Sequence, residues 1–177
     1  KSLIFIRYFF EFFLFKIFLF LLNIFSKNIS MEIISSAFLF FGKLTKYDKI
    51  AKKNCKIVFP NLEDKKITKI IDNSWKNLGK NFLEINFLKE LVNNIDLIEI
   101  HGSDILKKIK KDKSQVIFFS IHSSNWEICV PLLDQKDLNV GAIYRHINNN
   151  FFDKYIFKKR NEALKTKNSF YTPKGKT

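Results

Sequence analysis

Short apolar runs that each stop at a polar turn alternate along the chain with stretches of helical period, and this alternation most limits the fold. From Leu62 to Ile85 the apolar positions Ile67, Ile70, Ile71, Trp75, Leu78, Phe82 and Ile85 recur at steps of three and four, which predicts an amphipathic helix with Trp75 on its core side. Asp96 to His101 alternates as a strand would, Gly102 ends it, and Ser103 is placed to cap a short basic helix through Lys111. Gln115 to Ile121 reads as a buried strand, followed by a polar turn and a helix that Pro131 should end or kink. Leu138 to Tyr144 supplies another strand, residues 151–165 another helix, and Ser169 to Thr172 the start of a further strand. The expected class is α/β, with a mostly parallel sheet covered by helices.

In such sheets ligands bind beyond the carboxyl ends of the strands. The residues there are His122-Ser123-Ser124-Asn125-Trp126-Glu127 after the 115–121 run, and Arg145 after Tyr144. His122 and Glu127 would stand about 140 degrees apart on one continuous helix, so they meet only across a turn. With Ser124 or Asn125 capping a helix that carries Glu127 in its first turn, His122 lies in the loop facing that helix end. A carboxylate on one imidazole nitrogen fixes the tautomer and leaves the other nitrogen to take a proton from a hydroxyl. Arg145 offers a fork of donors for a phosphate or for charge developing on an acyl carbonyl oxygen. Its structural alternative is an ion pair with Asp153 or Glu162.

The segment resembles the motif of histidine, four residues and an acid found in glycerolipid acyltransferases. In the form His-x-x-Asn-Trp-Glu it is similar to the late acyltransferases of bacterial lipid A biosynthesis. Ala51, Asn54, Phe59, Pro60 and Gly102 upstream, and Tyr144, Arg145, Asn149, Asp153 and Arg160 downstream, extend the likeness over most of residues 48–176. The family pattern has Gly before the histidine and Phe-Gly after it, where this chain has Ile121, Ser123 and Ser124. The resemblance implies a glycerolipid acyltransferase-like fold and acyl transfer from an acyl carrier protein thioester, or a coenzyme A thioester, to a lipid A precursor. It implies His122 and Glu127 as catalytic residues and Arg145, Asn125 and Tyr144 as substrate-binding ones. No further cofactor and no metal are implied. The family also has a downstream Asp-Gln block, so the chain reads as C-terminally incomplete and itself possesses the reactive residues without a guarantee of turnover.

Leu3 to Phe25 is dominated by Phe, Leu and Ile over about the 20 residues that cross a bilayer, interrupted by Arg7, Glu11 and Lys16. A tilted span with its charges near one end and a helix lying in the interface both fit. No small-residue cleavage pattern follows, which disfavours a secretory signal, and a soluble core helix is the remaining alternative. The expected organisation is a hydrophobic membrane-anchoring helical segment over residues 1–45 and an acyltransferase domain over 46–177, at the cytoplasmic face of the bacterial inner membrane.

Net charge is +14, from 31 Lys and Arg against 17 Asp and Glu, which suits anionic lipid headgroups, phosphorylated sugars, an acidic carrier protein or nucleic acid, and sign alone does not choose among them. Cys55 and Cys129 are isolated, so neither a zinc site nor a disulfide framework is indicated. The rival reading is a non-enzymatic basic module binding membranes or nucleic acid. Nucleic acid is disfavoured because the aromatic residues concentrate in the amino-terminal stretch and at buried helix positions rather than among exposed basic residues. Another glycolipid or phospholipid acceptor remains open.

Overall fold

The computed structural model describes residues 2–174, so the end of the domain expected over 46–177 lies outside the described residues. The chain is mostly helical, with one small parallel two-stranded sheet. The helices are α1 (Ser2–Leu22), α2 (Lys27–Lys43), α3 (Lys46–Val58), α4 (Asp64–Glu84), α5 (Leu88–Asn93), α6 (Ser103–Asp112), α7 (Cys129–Gln135) and α8 (Asn150–Glu162). The strands are β1 (Gly141–Tyr144) and β2 (Phe170–Pro173). Two compact units result, Ile17–Leu83 and Lys1–Lys16 with Glu84–Thr177.

In the first of these units the helical period read over Leu62 to Ile85 is realised as α4. Ile67 and Ile71 bury with Cys55 of α3, and Ala51, Leu62 and Trp75 pack around them. Trp75 is thus a core residue, and its indole N–H donates to Asp48 at 3.1 Å. Lys52 at 2.8 Å, its strongest hydrogen-bond partner, holds the buried Asp48 carboxyl below the ordinary range against the opposing effect of burial. Gly79 lets α4 approach α2 closely, since a Cβ there would stand 2.8 Å from the Ile34 carbonyl oxygen.

The second unit carries the residues singled out for chemistry. Along the first four turns of α1, Phe5, Phe9, Phe12 and Phe15 pack against Phe151, Phe152 and Tyr155 of α8, with ring centroids 4.9 to 5.9 Å apart. The three charges that interrupt the apolar run are all engaged here. Arg7 pairs with Glu11 at 3.4 Å, Glu11 also accepts from Asn149 at 3.0 Å, and the Lys16 ammonium lies 4.9 Å from the Tyr155 ring centroid. Asn149 starts α8 by accepting from the Phe151 and Phe152 amides. Phe10, Phe13 and Leu14 remain exposed. Among the described residues no helix is long and apolar enough to cross a membrane.

The sheet is smaller than the alternation suggests. β1 and β2 form where strands were expected and run parallel, Gly141 opposite Phe170 and Tyr144 opposite Pro173. Residues 96–101 form no strand, because Leu97 N bonds back to the Asn94 carbonyl in a single 3₁₀ turn, Ile95–Leu97. The 115–121 run forms no strand and has no ladder partner among the described residues, and Phe119 is 92% exposed. An apolar run becomes a strand only when a neighbouring backbone takes its hydrogen bonds. Here β1 and most of this run line one open cleft. Two local expectations also change. Pro131 sits in the first turn of α7, where a missing amide breaks no helical bond, so the helix continues to Gln135. Gly102, at φ 75°, rather than Ser103, occupies the cap position of α6.

One buried carboxylate ties these pieces together. Asp134 at the end of α7 is 0% exposed and accepts from Lys165 N, Thr166 N, Thr166 Oγ1 and Ser169 Oγ, while Ser169 Oγ accepts from Val140 N at the start of β1. Burial raises its pKa, but these donors outweigh burial and the net shift is downward. A carboxyl depressed in the folded state stabilises above its unfolded pKa of about 4 and loses that contribution as pH falls through its folded value. We expect Asp134→Ala to cost about 3 kcal/mol at neutral pH, by leaving several buried donors unpaired, and to make the acid-side loss of stability shallower. Urea unfolding at a series of pH values measures both effects. An unchanged midpoint at pH 7 would contradict the role assigned to this carboxylate.

Candidate active site

Glu127 lies on a 3₁₀ turn, Trp126–Ile128, that leads into α7. The turn is held on two sides. Asn125 accepts from the Glu127 amide at 3.1 Å and donates to Glu84 at 2.7 Å, and Ile128 packs on Leu88, Val92 and Ala163. Asn125 therefore takes the capping place read for it from the sequence. Ser124, just before it, has a φ of 49°, a left-handed conformation that costs an L-residue with a Cβ. It stands at the second glycine of the motif.

His122 and Glu127 line the same cleft, of about 1360 Å³, but are not hydrogen-bonded to each other. The Glu127 carboxylate is 9% exposed and is gripped by Arg160, with Nε to Oε2 and Nη2 to Oε1 both at 2.7 Å. This corrects the expectation of a direct imidazole–carboxylate pair: a planar guanidinium 33 positions further along outcompetes the neighbouring loop for both oxygens. Trp126 connects the two expected partners. Its indole N–H donates to Glu127 Oε1 at 3.2 Å, and its ring lies 4.8 Å from that of His122 at an interplanar angle of 59°. His122 is exposed toward the cleft.

Arg160 is 17% exposed on its side chain and sits over two tyrosine rings, 5.5 Å from the centroid of Tyr144 on β1 and 5.7 Å from that of Tyr171 on β2. Burial opposes its charge, but the hydrogen bonds and charge of Glu127 outweigh this and raise its pKa. Burial pushes the Tyr144 and Tyr171 phenols upward, with nearby carboxylate charge adding to it, so both stay protonated at neutral pH. Tyr144, expected from the sequence to contact substrate, lines the cleft and packs on Arg160, on Phe157 and on the His146 ring.

Arg145 follows β1 as expected, is exposed and lines the cleft. Neither acid considered as its ion-pair partner is engaged with it. Asp153 holds His146 at 2.6 Å and the Ile147 amide at 2.9 Å, and Glu162 pairs with Lys158 and Lys159. Among the described residues no cluster of side chains could hold a metal ion. The cleft thus joins an accessible imidazole, a fixed carboxylate and an arginine with no acidic partner among the described residues. The residues that spacing alone did not assign are Arg160, Trp126 and Tyr171. Arg160 and Trp126 belong to the motif blocks but carry no local sign of their partner, and Tyr171 has no signal beyond its place in an apolar run.

A family model described as bacterial lipid A biosynthesis acyltransferase matches residues 1–167. No curated protein and no solved structure matches the chain.

Replacing Ser124 by Gly should relieve the left-handed backbone and raise stability by about 1 kcal/mol. Thermal melting of the Ser124→Gly protein tests this, and a lower melting temperature would show that the turn is not strained there.

Proposed function

The chain belongs to the bacterial lipid A biosynthesis acyltransferase family, a family of acyltransferase enzymes whose substrates are an acyl donor and a lipid acceptor, and on that premise we propose the following reaction for this cleft. A fatty acyl group passes from an acyl carrier protein thioester to a hydroxyl of a lipid A precursor at the cytoplasmic face of the inner membrane. The observation that carries the reading is that His122, Glu127 and Arg145 line one open cleft together with β1 and most of the 115–121 run.

The chemistry needs only these groups. His122 takes the proton of the acceptor hydroxyl as its oxygen attacks the thioester carbonyl carbon. The new C–O bond forms, the tetrahedral intermediate collapses with cleavage of the C–S bond, and the thiolate leaves with the proton returned by the imidazolium. A thioester is electrophilic enough for direct attack, so no acyl-enzyme is required. Glu127 supplies fixed negative charge that favours the imidazolium. Arg160 and Trp126 use three of its roughly four acceptor positions, leaving one for the imidazole. Arg145 is placed to hold a phosphate of the acceptor or the carbonyl oxygen as charge builds on it. Asn125 keeps the turn in shape. The exposed Phe10, Phe13 and Leu14 of α1 and the net charge of +14 support contact with an anionic membrane and an acidic carrier.

Because His122 is exposed, His122→Ala should leave the melting temperature unchanged while lowering turnover about 10²- to 10⁴-fold, the usual worth of a general base. Acyl transfer is followed with acyl carrier protein and coenzyme A thioesters in parallel, against lipid A precursor and a lysophospholipid. Retained turnover in the variant would overturn the assignment, and the preferred donor and acceptor decide between the alternatives.

A further inference from the structure

We propose that Arg160 is the positioning residue of this site, a clamp carried by α8 and backed by one ring from each strand, which fixes the Glu127 carboxylate for the reaction. The inference rests on the acyl-transfer reading given above and names a residue that works through Glu127 rather than on substrate.

The grip is bidentate, at 2.7 Å on each oxygen, and both partners are largely buried. One such fork fixes the plane of a carboxylate as well as its place, which a single lysine ammonium does not do. The clamp is itself held. Tyr144 and Tyr171 place a ring face near the guanidinium from each of the two strands, so the cation cannot leave the carboxylate without also leaving both rings. The Tyr171 hydroxyl is buried and has no hydrogen-bond partner among the described residues, which leaves its ring as the part that acts on Arg160. A buried pair of this kind is a poor source of stability, because the cost of desolvating both ions offsets their attraction. Its position on the wall of the cleft, with Trp126 passing from the carboxylate to the His122 ring, gives it a use that stability does not.

The test compares Arg160→Lys, Glu127→Gln and the double variant of the full chain in detergent, with acyl carrier protein thioesters as donor. The expected result is a fall in kcat of about tenfold or more for Arg160→Lys with KM changed by less than about twofold, since the guanidinium nitrogens Nε and Nη2 are given to the Glu127 carboxylate rather than to substrate. In the Glu127→Gln background the same change should cost no more than about twofold further, because a clamp with nothing to hold has no effect left to lose. Arg160→Ala strands a buried carboxylate and is expected to fold poorly. Pairing it with Glu127→Gln removes both charges and should restore folding, read from the melting curve. Added guanidinium should recover turnover in Arg160→Ala where Glu127 is intact and not where it is Gln. Full turnover in Arg160→Lys beside an inactive Glu127→Gln, or additive losses in the double variant, would overturn the clamp while leaving the reaction standing. Full turnover in Glu127→Gln would overturn the catalytic reading of this carboxylate and the clamp with it.

Discussion

The geometry of the cleft depends on the fork between Arg160 and Glu127. The fork closes a loop of structure that no single element could close: a short turn ahead of α7, the last turns of α8, and one ring from each strand of the sheet. Removing one partner alone would leave the other charge buried and uncompensated, at a cost of about 3–5 kcal/mol. The neighbouring constraints all serve to bring these elements within reach. Asp134 fixes α7 to the turn ahead of β2 and, through Ser169, to β1. The aromatic packing between α1 and α8 seats the helix that carries Arg160.

That same packing changes the meaning of the charges in the amino-terminal stretch. Read along the sequence, Arg7, Glu11 and Lys16 are interruptions in an apolar run. In the fold, Glu11 meets Asn149, the cap of α8, and Lys16 meets Tyr155, so two of the three specify how α1 docks on α8. One helix face is spent on the protein, and other apolar side chains, Phe10 and Leu14 among them, are left uncovered. A helix apolar on nearly every face has room for both uses.

The elements whose specification is local were legible in the sequence. The three-and-four spacing of α4 and the places of β1 and β2 came through, as did Trp75 as core and Asn125 as a cap. What failed was whatever depends on a distant partner. The 115–121 run has the composition of a buried strand, but composition does not supply the backbone that must lie beside it. The expected His122–Glu127 pair was reasoned from a separation of five positions, and a carboxylate is claimed by the strongest donor within reach, here one 33 positions away. Arg160 stood in a recognisable motif block, yet nothing in its spacing told which acid it would meet. The four-donor shell of Asp134 was likewise invisible, because its donors come from a loop 31 to 35 positions further on.

The resulting cleft holds apart two groups that a simple dyad would join. The carboxylate is locked in place by a cation behind it, and the imidazole stands in the open cleft, linked to the carboxylate through the tryptophan between them. The most direct measurement of this arrangement is the ¹H–¹⁵N spectrum of the arginine side chains. The chain has three arginines, and Arg7 and Arg145 are exposed. The account predicts one Nε–H resonance, from Arg160, that is shifted downfield, slow to exchange with solvent at neutral pH, and lost when Glu127 is replaced by Gln. Three arginine signals that exchange alike and ignore that substitution would contradict it.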